Sequence, residues 1–201
     1  MYTHARQTEL PPTTQAAEGL PRRRWLVSEI EDMVAKGIFA DDERFELIGG
    51  EIVPMQSKGA RHEAAKIALN RFFQRQAPDH LEIAQETTLR LDQDTYVEPD
   101  FCVFRRGLDL KALNGSEVLL AVEIADSSLA YDLGRKIGIY AAYGVPEVWV
   151  INANTLLTRI HRELGEQGYS VKLDVKHAKP LVPALTPELA VTLSALGLSP
   201  L

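Results

Sequence analysis

The sequence predicts an α/β fold in which a mixed central sheet is flanked by helices, with an N-terminal helix and a β-hairpin ahead of the sheet. Three observations support this prediction. A strand–helix–strand pattern runs from Val118 to Ile151, several strand candidates precede it, and Gly49-Gly50 separates two short runs of alternating apolar residues. Strands in succession, followed by a strand–helix–strand unit, are typical of a mixed sheet with helices on its faces.

The N-terminal part contains a leader, a short helix and the hairpin. Residues 1–20 are rich in Thr, Gln, Pro and Ala without periodicity, which predicts a mobile leader ahead of one domain over residues 21–201. The short helix is predicted to end at Gly37, because glycine favours helix ends. Phe45–Ile48 and Glu51–Met55 are the two strands of the hairpin, and the glycine pair between them suits a tight primed turn.

The middle of the chain supplies the strands of the central sheet. Residues 61–76 carry an apolar stripe at helical spacing and are predicted to form a helix. The strand candidates that follow are Ile83–Gln85, Thr87–Leu91, Val97–Phe104 and Val118–Ala125. The last of these is apolar at every position except Glu123, a pattern typical of a central strand that is covered on both faces.

The C-terminal part completes the strand–helix–strand unit. Residues 129–143 are predicted to form a helix that ends at Gly144. Glu147–Ile151 and Thr155–His161 read as two further strands. The tail from Gly165 onward has several prolines and is predicted to be less regular.

Composition and charge exclude some classes of protein. The chain has no run of about eighteen apolar residues, so no membrane span is expected. The net charge of −6 argues against a protein that coats nucleic acid with a broad basic surface, but it is compatible with a nuclease whose carboxylates bind metal. The one cysteine, Cys102, lies in a predicted buried strand and cannot form an internal disulfide, which favours a reducing cytoplasm.

Two carboxylates lie on otherwise apolar strands. Asp100 follows Pro99 inside the Val97–Phe104 run, and Glu123 has only apolar neighbours in its strand. Burying a lone carboxylate is costly, so each must be paired, protonated or bound to a cation. Two strand carboxylates side by side offer the hard oxygen ligands that Mg²⁺ or Mn²⁺ prefers. Such a metal lowers the pKa of a bound water and stabilises charge on a phosphoryl oxygen.

The helix after Glu123 offers a cation to these carboxylates. Asp132, Lys136 and Tyr140 are spaced to share one helical face, which can turn Lys136 toward the site. There Lys136 would hold the attacking water or balance the charge of the leaving group. The structural alternatives are a core ion pair of Glu123 with Lys136 or Arg135, or an Asp132–Lys136 pair on the surface. The residues alone leave these interpretations open.

Several motifs in order make the chain resemble a known family. They are RFELIGGEIVPM, Arg61-His62, VEPDFCVF, LLAVEIADSS and YDLGRKIGIYAAYGVPEVWVIN, and they extend from about Trp25 to His161. Together they resemble the Uma-two family of endonucleases, in the PD-(D/E)xK, restriction-endonuclease-like superfamily. The resemblance implies a restriction-endonuclease-like fold and hydrolysis of DNA phosphodiester bonds with Mg²⁺ or Mn²⁺.

The resemblance also implies roles for particular residues. Asp100 and Glu123 match the two acidic metal ligands of the superfamily. Lys136 matches the catalytic lysine, which this family supplies from the following helix. Glu46 matches an acid of the N-terminal motif and joins these three as a catalytic candidate.

Five further residues are weaker candidates. Glu51 matches a second acid of the hairpin, although it also fits an ordinary exposed acid. His62 matches a histidine that often follows the hairpin, although a histidine at a helix start is more often a surface or capping group. Gln85 lies near the expected edge of the site, and Tyr140 shares the face of Lys136. Asp126 adds a third acid or caps the next helix, and we favour the cap.

One departure from the superfamily pattern opens a second hypothesis. The motif places a lysine two residues after the glutamate, where this chain has Ala125. The chain is then either an active nuclease that uses Lys136, or an inactive nucleic-acid- or protein-binding module with the nuclease fold. A purely structural role for the carboxylates is the third possibility. For the nuclease we expect DNA as partner, no membrane, and a homodimer, since duplex cleavage often uses two sites related by two-fold symmetry.

Overall fold

The computed structural model describes residues 23–40, 42–126 and 129–201, which contain four α-helices and ten strands. The leader predicted for residues 1–20 lies outside the described residues. The helices are α1 (Val27–Ala35), α2 (Ala60–Gln76), α3 (Leu129–Tyr131) and α4 (Ile137–Ala142). The strands are β1 (Phe45–Ile48), β2 (Glu51–Pro54), β3 (Leu81–Gln85), β4 (Leu89–Asp92), β5 (Thr95–Val97), β6 (Phe101–Arg105), β7 (Val118–Ala125), β8 (Val148–Asn152), β9 (Thr158–Gly165) and β10 (Gly168–Val175). None of the described helices has the length and apolar character needed to cross a bilayer.

The N-terminal helix and hairpin belong to a small antiparallel sheet. Its strands are ordered β2-β1-β5-β4. Helix α1 buries Val27 and Ile30 against Phe45, Leu47 and Tyr96 of this sheet. The predicted helix and hairpin are therefore both present, and β1 lies inside the small sheet between β2 and β5.

The hairpin turn depends on its two glycines in different ways. Gly49 and Gly50 have φ angles of 59° and 79°, which L side chains rarely adopt. A Cβ on Gly50 would lie 2.6 Å from the Cβ of Arg24 and 2.9 Å from the backbone nitrogen of Trp25, whereas a Cβ on Gly49 would meet nothing within 4 Å. The N–H of Trp25 donates to the Gly50 carbonyl, so the chain before α1 is held against this turn.

We therefore expect Gly50→Ala to destabilise the fold more than Gly49→Ala. Gly49→Ala pays only for the left-handed backbone, about 1 kcal/mol, while Gly50→Ala adds a clash with backbone that cannot move alone, for a total of about 3 kcal/mol. Urea unfolding of the two variants measures both costs. Equal losses would mean that the chain around Arg24 does not pack on the turn.

The larger sheet is mixed, as predicted. Its six strands are ordered β10-β9-β8-β7-β6-β3. Only β7 and β8 run parallel among its pairs, and the chain between them crosses over through α3 and α4. The other neighbours are antiparallel. Strand β7 thus lies inside the sheet, with a neighbour on each side.

Helices cover both faces of β7. On one face, Leu69 and Phe73 of α2 pack with Leu120 and Val122. On the other face, Ile137 and Tyr140 of α4 pack with Ala121 and Ala125, the alternate positions of β7, and with Cys102 of the neighbouring strand β6. Glu123 shares the parity of Ala121 and Ala125, so it faces the α4 side. Cys102 is fully buried, as its strand position predicted, and so is Trp149 of β8.

The helix predicted over residues 129–143 is not a continuous α-helix. A π-helical turn, Asp132–Lys136, separates α3 from α4. This turn buries both Asp132 and Lys136. The wider turn rotates the side chains relative to a regular helix, and such turns often occur at functional sites.

The structure differs from the prediction in two segments. The run Val97–Phe104 does not form one strand: β5 ends at Val97 in the small sheet, and β6 starts at Phe101 in the large one. Pro99 has no N–H to donate to a ladder, which favours the break. The tail after Gly165, predicted to be less regular, contains β10, which pairs with β9 over its whole length. The break at Pro99 places Asp100 between the two sheets.

Candidate active site

The sheet register brings Asp100 and Glu123 side by side. Strands β6 and β7 are antiparallel neighbours in which Phe101 pairs with Val122, so Asp100 lies next to Glu123. The backbone N–H of Ile124 donates to Asp100 Oδ2 at 2.8 Å. Each of the two carboxylate residues is only 4% exposed. Two strands that are adjacent in the sheet thus deliver two buried acids to one place.

Lys136 is the cation that faces the Glu123 side of the site. Its Nζ lies 2.9 Å from Glu123 Oε1 and 2.8 Å from Glu46 Oε1. The hydroxyl of Tyr140, one turn further along the helix, donates to the same oxygen of Glu123. The predicted face of Lys136 and Tyr140 therefore does turn toward the strand carboxylate. The ion pair with Glu123 that the structural alternative required is present as well.

Glu46 joins the site from the small sheet. It lies on β1 and is 2% exposed. Its Oε1 accepts the backbone N–H of Glu98 at 2.9 Å, and its Oε2 lies 3.5 Å from the Tyr131 hydroxyl. One ammonium thus bridges acids from both sheets, and the site forms where the sheets meet.

Asp100 has cationic neighbours of its own. Lys58 Nζ donates to Asp100 Oδ1 at 2.8 Å, and His62 Nε2 lies 3.1 Å from Oδ2. Burial favours a higher pKa for Asp100, but the contacts with His62 and Lys58 outweigh it and hold the pKa at about 2. Asp100 is therefore ionised at neutral pH. His62 is 4% exposed, so it is not the surface group that its position at a helix start suggested.

Glu123 has the opposite electrostatic environment. Burial is the largest influence and raises the pKa of Glu123, and the nearby acids Asp100, Asp132 and Glu46 raise it further, while Lys136 lowers it; the result is about 8. Burial favours a lower pKa for Lys136, but Glu123, Glu46 and Asp132 together outweigh it and hold the pKa well above its usual value, so the ammonium stays charged. Neighbouring carboxyl groups with pKa values pushed apart are typical of sites that handle protons.

These groups line one cavity of about 440 Å³. Its walls include four predicted catalytic residues, namely Glu46, Asp100, Glu123 and Lys136, and also His62 and Asp126. Tyr140 is fully buried behind Glu123 and is absent from the cavity wall. The sequence positions of the wall residues extend from 46 to 136, so only the tertiary fold brings them together.

A family model matches residues 27–194, most of the chain, and is described as "Uma2: Putative restriction endonuclease". The chain belongs to the Uma2 family. Among solved structures, a nuclease-family protein from Anabaena variabilis ATCC 29413, described as "a putative nuclease belonging to DUF820", superposes with a TM-score of 0.58 at 17% identity. The match covers 76% of this chain and 88% of that one. No curated protein matches the chain.

The family and the neighbour confirm the fold expected from the sequence. The Uma2 match is the family that the motifs predicted, and the neighbour shares the fold at low sequence identity. The coarse functional class, a nuclease, follows from the family. The candidate site residues are inferred from the distances and the cavity lining, and not from the comparisons.

The weaker candidates fall in different places in this Uma2 chain. Glu51 is exposed on β2, and Gln85 ends β3 with its side chain exposed, and neither belongs to the cavity wall. Asp126 does line the cavity, and its Oδ1 accepts from the Asn154 side chain at 2.9 Å. Its predicted role as a helix cap depends on residues 127 and 128, which lie outside the described residues.

Sequence reasoning missed the cations next to Asp100. Lys58 lies in the loop before α2 and contacts Asp100, and Lys66 lies one helical turn after His62 and contacts Glu86. Both ammonium groups donate to Glu86 Oε1, and Arg44 lies 3.6 Å from Glu86 Oε2. We call Arg44, Lys58, Lys66 and Glu86 the Glu86 cluster.

The Glu86 cluster makes stability depend on acid pH. Burial alone would raise the pKa of Glu86, but the hydrogen bonds from Lys58 and Lys66 are stronger together and lower it to about 2. An unfolded glutamate titrates near pH 4.3. Because the folded pKa is the lower one, the stabilisation is present above about pH 4.3 and is lost as the pH falls toward 2.

Accordingly, Glu86→Gln should lower the free energy of unfolding by roughly 2 kcal/mol at pH 6, and by much less at pH 2.5. Urea unfolding at the two pH values measures the difference. Glu82→Gln is the control, because Glu82 pairs with Arg106 on the surface at 3.2 Å and such pairs contribute at most about 1 kcal/mol. A loss for Glu86→Gln that does not change with pH would contradict the expected charge contribution.

The residues of the cavity fit a hard divalent cation. Among the described residues there is no group of three or more His, Cys, Asp and Glu side chains arranged as a metal site. Asp100 and Glu123 nevertheless provide two neighbouring carboxylates that open into the cavity. Magnesium is commonly held by one or two carboxylates while waters and substrate phosphates complete its shell. The donor set thus suits a metal that binds together with its substrate.

Proposed function

We propose that this protein is a nuclease that hydrolyses phosphodiester bonds in DNA with Mg²⁺ or Mn²⁺, acting as a homodimer. The observation that supports it most is the convergence of Asp100, Glu123 and Lys136 in one cavity of a Uma2 chain. Asp100 and Glu123 are the residues that would hold the metal. When bound, the metal would lower the pKa of a water and stabilise charge on the phosphate.

Lys136 supplies the ammonium that the superfamily motif places at position 125, where this chain has Ala125. Its ammonium is fixed by Glu46 and Glu123 at the cavity wall, so its position does not depend on the substrate. From there it can orient a water for attack or balance charge on the departing oxygen. The Tyr140 hydroxyl positions Glu123 from behind and does not itself line the cavity, and the π turn positions Lys136.

His62 contributes to the ionisation of Asp100. Its Nε2 faces Asp100 Oδ2, and its Nδ1 lies 3.3 Å from Glu63 Oε1. Together with the Ile124 N–H, this contact keeps the Asp100 carboxylate ionised and in a fixed orientation. A carboxylate that is already ionised and oriented loses little free energy when it accepts a metal. We therefore assign His62 as a positioning residue.

Calorimetric titration of Mn²⁺ tests the proposal directly. We expect saturable binding to the wild type, no binding to the Asp100→Asn/Glu123→Gln double variant, and unchanged binding to Glu51→Gln, whose carboxyl is exposed and outside the cavity. Cleavage of supercoiled plasmid should require Mg²⁺ or Mn²⁺ and stop with EDTA. Metal binding without cleavage of any DNA would favour the inactive binding module, and equal binding by all three proteins would place the metal elsewhere.

A further inference from the structure

Lys58 occupies an unusual position between two cavities. Its side chain is 17% exposed and reaches from the loop before α2 to Asp100 on one side and Glu86 on the other. It lines both the active-site cavity and an adjoining cavity of about 360 Å³, whose wall also includes Arg44, Lys66 and Glu86. A single ammonium group therefore touches the acid of the active site and the acid of the Glu86 cluster.

The contact of Lys58 with Asp100 is made at one particular oxygen. Asp100 Oδ2 is already engaged by the Ile124 N–H and faces His62, whereas Oδ1 is the oxygen that Lys58 contacts at 2.8 Å. A divalent cation bound at Oδ1 and an ammonium at the same oxygen would repel each other strongly, since both lie in a partly buried site. A metal that used this oxygen would therefore compete with Lys58 for Asp100.

The second partner of Lys58 offers it a place to go. Glu86 Oε1 accepts from Lys58 in the structure as it stands, so the ammonium can leave Asp100 without losing its other counter-charge. The movement required is a change of side-chain rotamer in a residue that is partly exposed at the junction of the cavities. Lys66 contacts the same Glu86 oxygen but has no contact with Asp100 among those in the structure.

We propose that Lys58 holds the place of the metal at Asp100 and moves to the Glu86 cluster when the metal binds. The inference rests on the proposed metal-dependent function. In the metal-free protein Lys58 neutralises a buried carboxylate, which otherwise would carry the cost of an uncompensated charge. A bound divalent cation would replace the Lys58 ammonium as the counter-charge of Asp100. Lys58 would then remain at the mouth of the cavity with Arg44 and Lys66.

Mn²⁺ titration of two matched variants tests this exchange. Lys58→Met and Lys66→Met each remove one ammonium of similar burial that contacts Glu86, and they differ in the contact with Asp100. We expect Lys58→Met to bind Mn²⁺ at least about tenfold more tightly than the wild type, because the competitor is gone, and Lys66→Met to change by less than about threefold.

Amine labelling of the wild type provides a second measurement that does not depend on a variant folding. Mass spectrometry after acetylation should show that saturating Mn²⁺ increases the labelling of Lys58 relative to Lys66 in the same sample. Equal affinities of Lys58→Met and Lys66→Met, weaker binding by Lys58→Met, or unchanged labelling would overturn the exchange while leaving the metal site intact. Failure of all three proteins to bind Mn²⁺ would overturn both this inference and the proposed function.

Discussion

Replacing Lys136 by methionine is expected to lower the free energy of unfolding by about 3–5 kcal/mol at neutral pH. Methionine keeps the length of the side chain and removes the charge. Glu46 and Glu123 then lose the ammonium that lies 2.8 and 2.9 Å from them, in a site where all three side chains are nearly inaccessible to solvent. Removing Lys136 should cost far more than removing a surface cation, because Glu46 would stay buried without its counter-charge; Glu123, whose pKa is about 8, is largely protonated at neutral pH and adds less to this cost.

Two further proteins make this prediction specific. Arg135→Met removes a cation from the same π turn, but Arg135 is exposed, so we expect a change of about 0.5 kcal/mol or less. Adding Glu46→Gln and Glu123→Gln to Lys136→Met should recover most of the lost stability, because no unpaired carboxylate then remains. Urea unfolding measures all of these. If Lys136→Met and Arg135→Met lose the same stability, Lys136 does not balance the charge of the site.

Replacing Glu123 by glutamine is expected to slow plasmid cleavage by about 10³-fold or more. A carboxylate that holds a catalytic metal contributes several kcal/mol to the stabilisation of the transition state, and each 1.4 kcal/mol corresponds to about a factor of ten in rate. Glutamine has nearly the same shape and can still accept the hydrogen bonds from Tyr140 and Lys136, but it lacks the negative charge. Initial rates of nicking at saturating Mg²⁺ measure the effect, with Glu51→Gln as the control that keeps the wild-type rate.

The metal-free stability of Glu123→Gln separates a metal ligand from a structural acid. Burial and the surrounding acids raise the folded pKa of Glu123 to about 8, above that of an unfolded glutamate. Its contribution to stability is therefore fully present below about pH 4.3 and is lost as the pH rises through 8. Glutamine does not titrate, so at pH 8 the variant should be as stable as the wild type or more stable. A marked loss of stability with full activity would identify Glu123 as a structural partner of Lys136 alone.

The fold could be predicted well where the pattern of apolar residues is local. Strand β7 is apolar except for Glu123, and that pattern identified an interior strand correctly. The glycine pair located the hairpin turn, because only a few residue types adopt its backbone angles. Glu98, Pro99 and Asp100 interrupt the apolar residues of the run Val97–Phe104, so a break there had a local signal. That the strands on either side join different sheets could not be foreseen, because the choice of partner strands is a long-range property.

The acids of the candidate site could be singled out from the sequence more readily than its cations. Asp100 and Glu123 stand out because a carboxylate in an apolar strand is rare, whereas lysines and glutamates in polar loops are common and carry no signal of their own. Lys58 and Glu86 belong to such segments, and only their contact, between residues 28 positions apart, shows that they belong to the site. Glu51 and Gln85 show the converse, since family motifs drew attention to side chains that the structure leaves outside the cavity.

The sequence by itself determined the fold class, the family and the acids on which a metal site would depend. Each of these follows from local patterns of burial, turn residues and ordered motifs. The tertiary structure decided which charges meet: the π turn buried Lys136 between acids of both sheets, and the loop before α2 brought Lys58 to Asp100. The physical reason is that electrostatic interactions in a partly buried site depend on distances of a few ångströms, which are set by packing between distant segments and not by spacing along the chain.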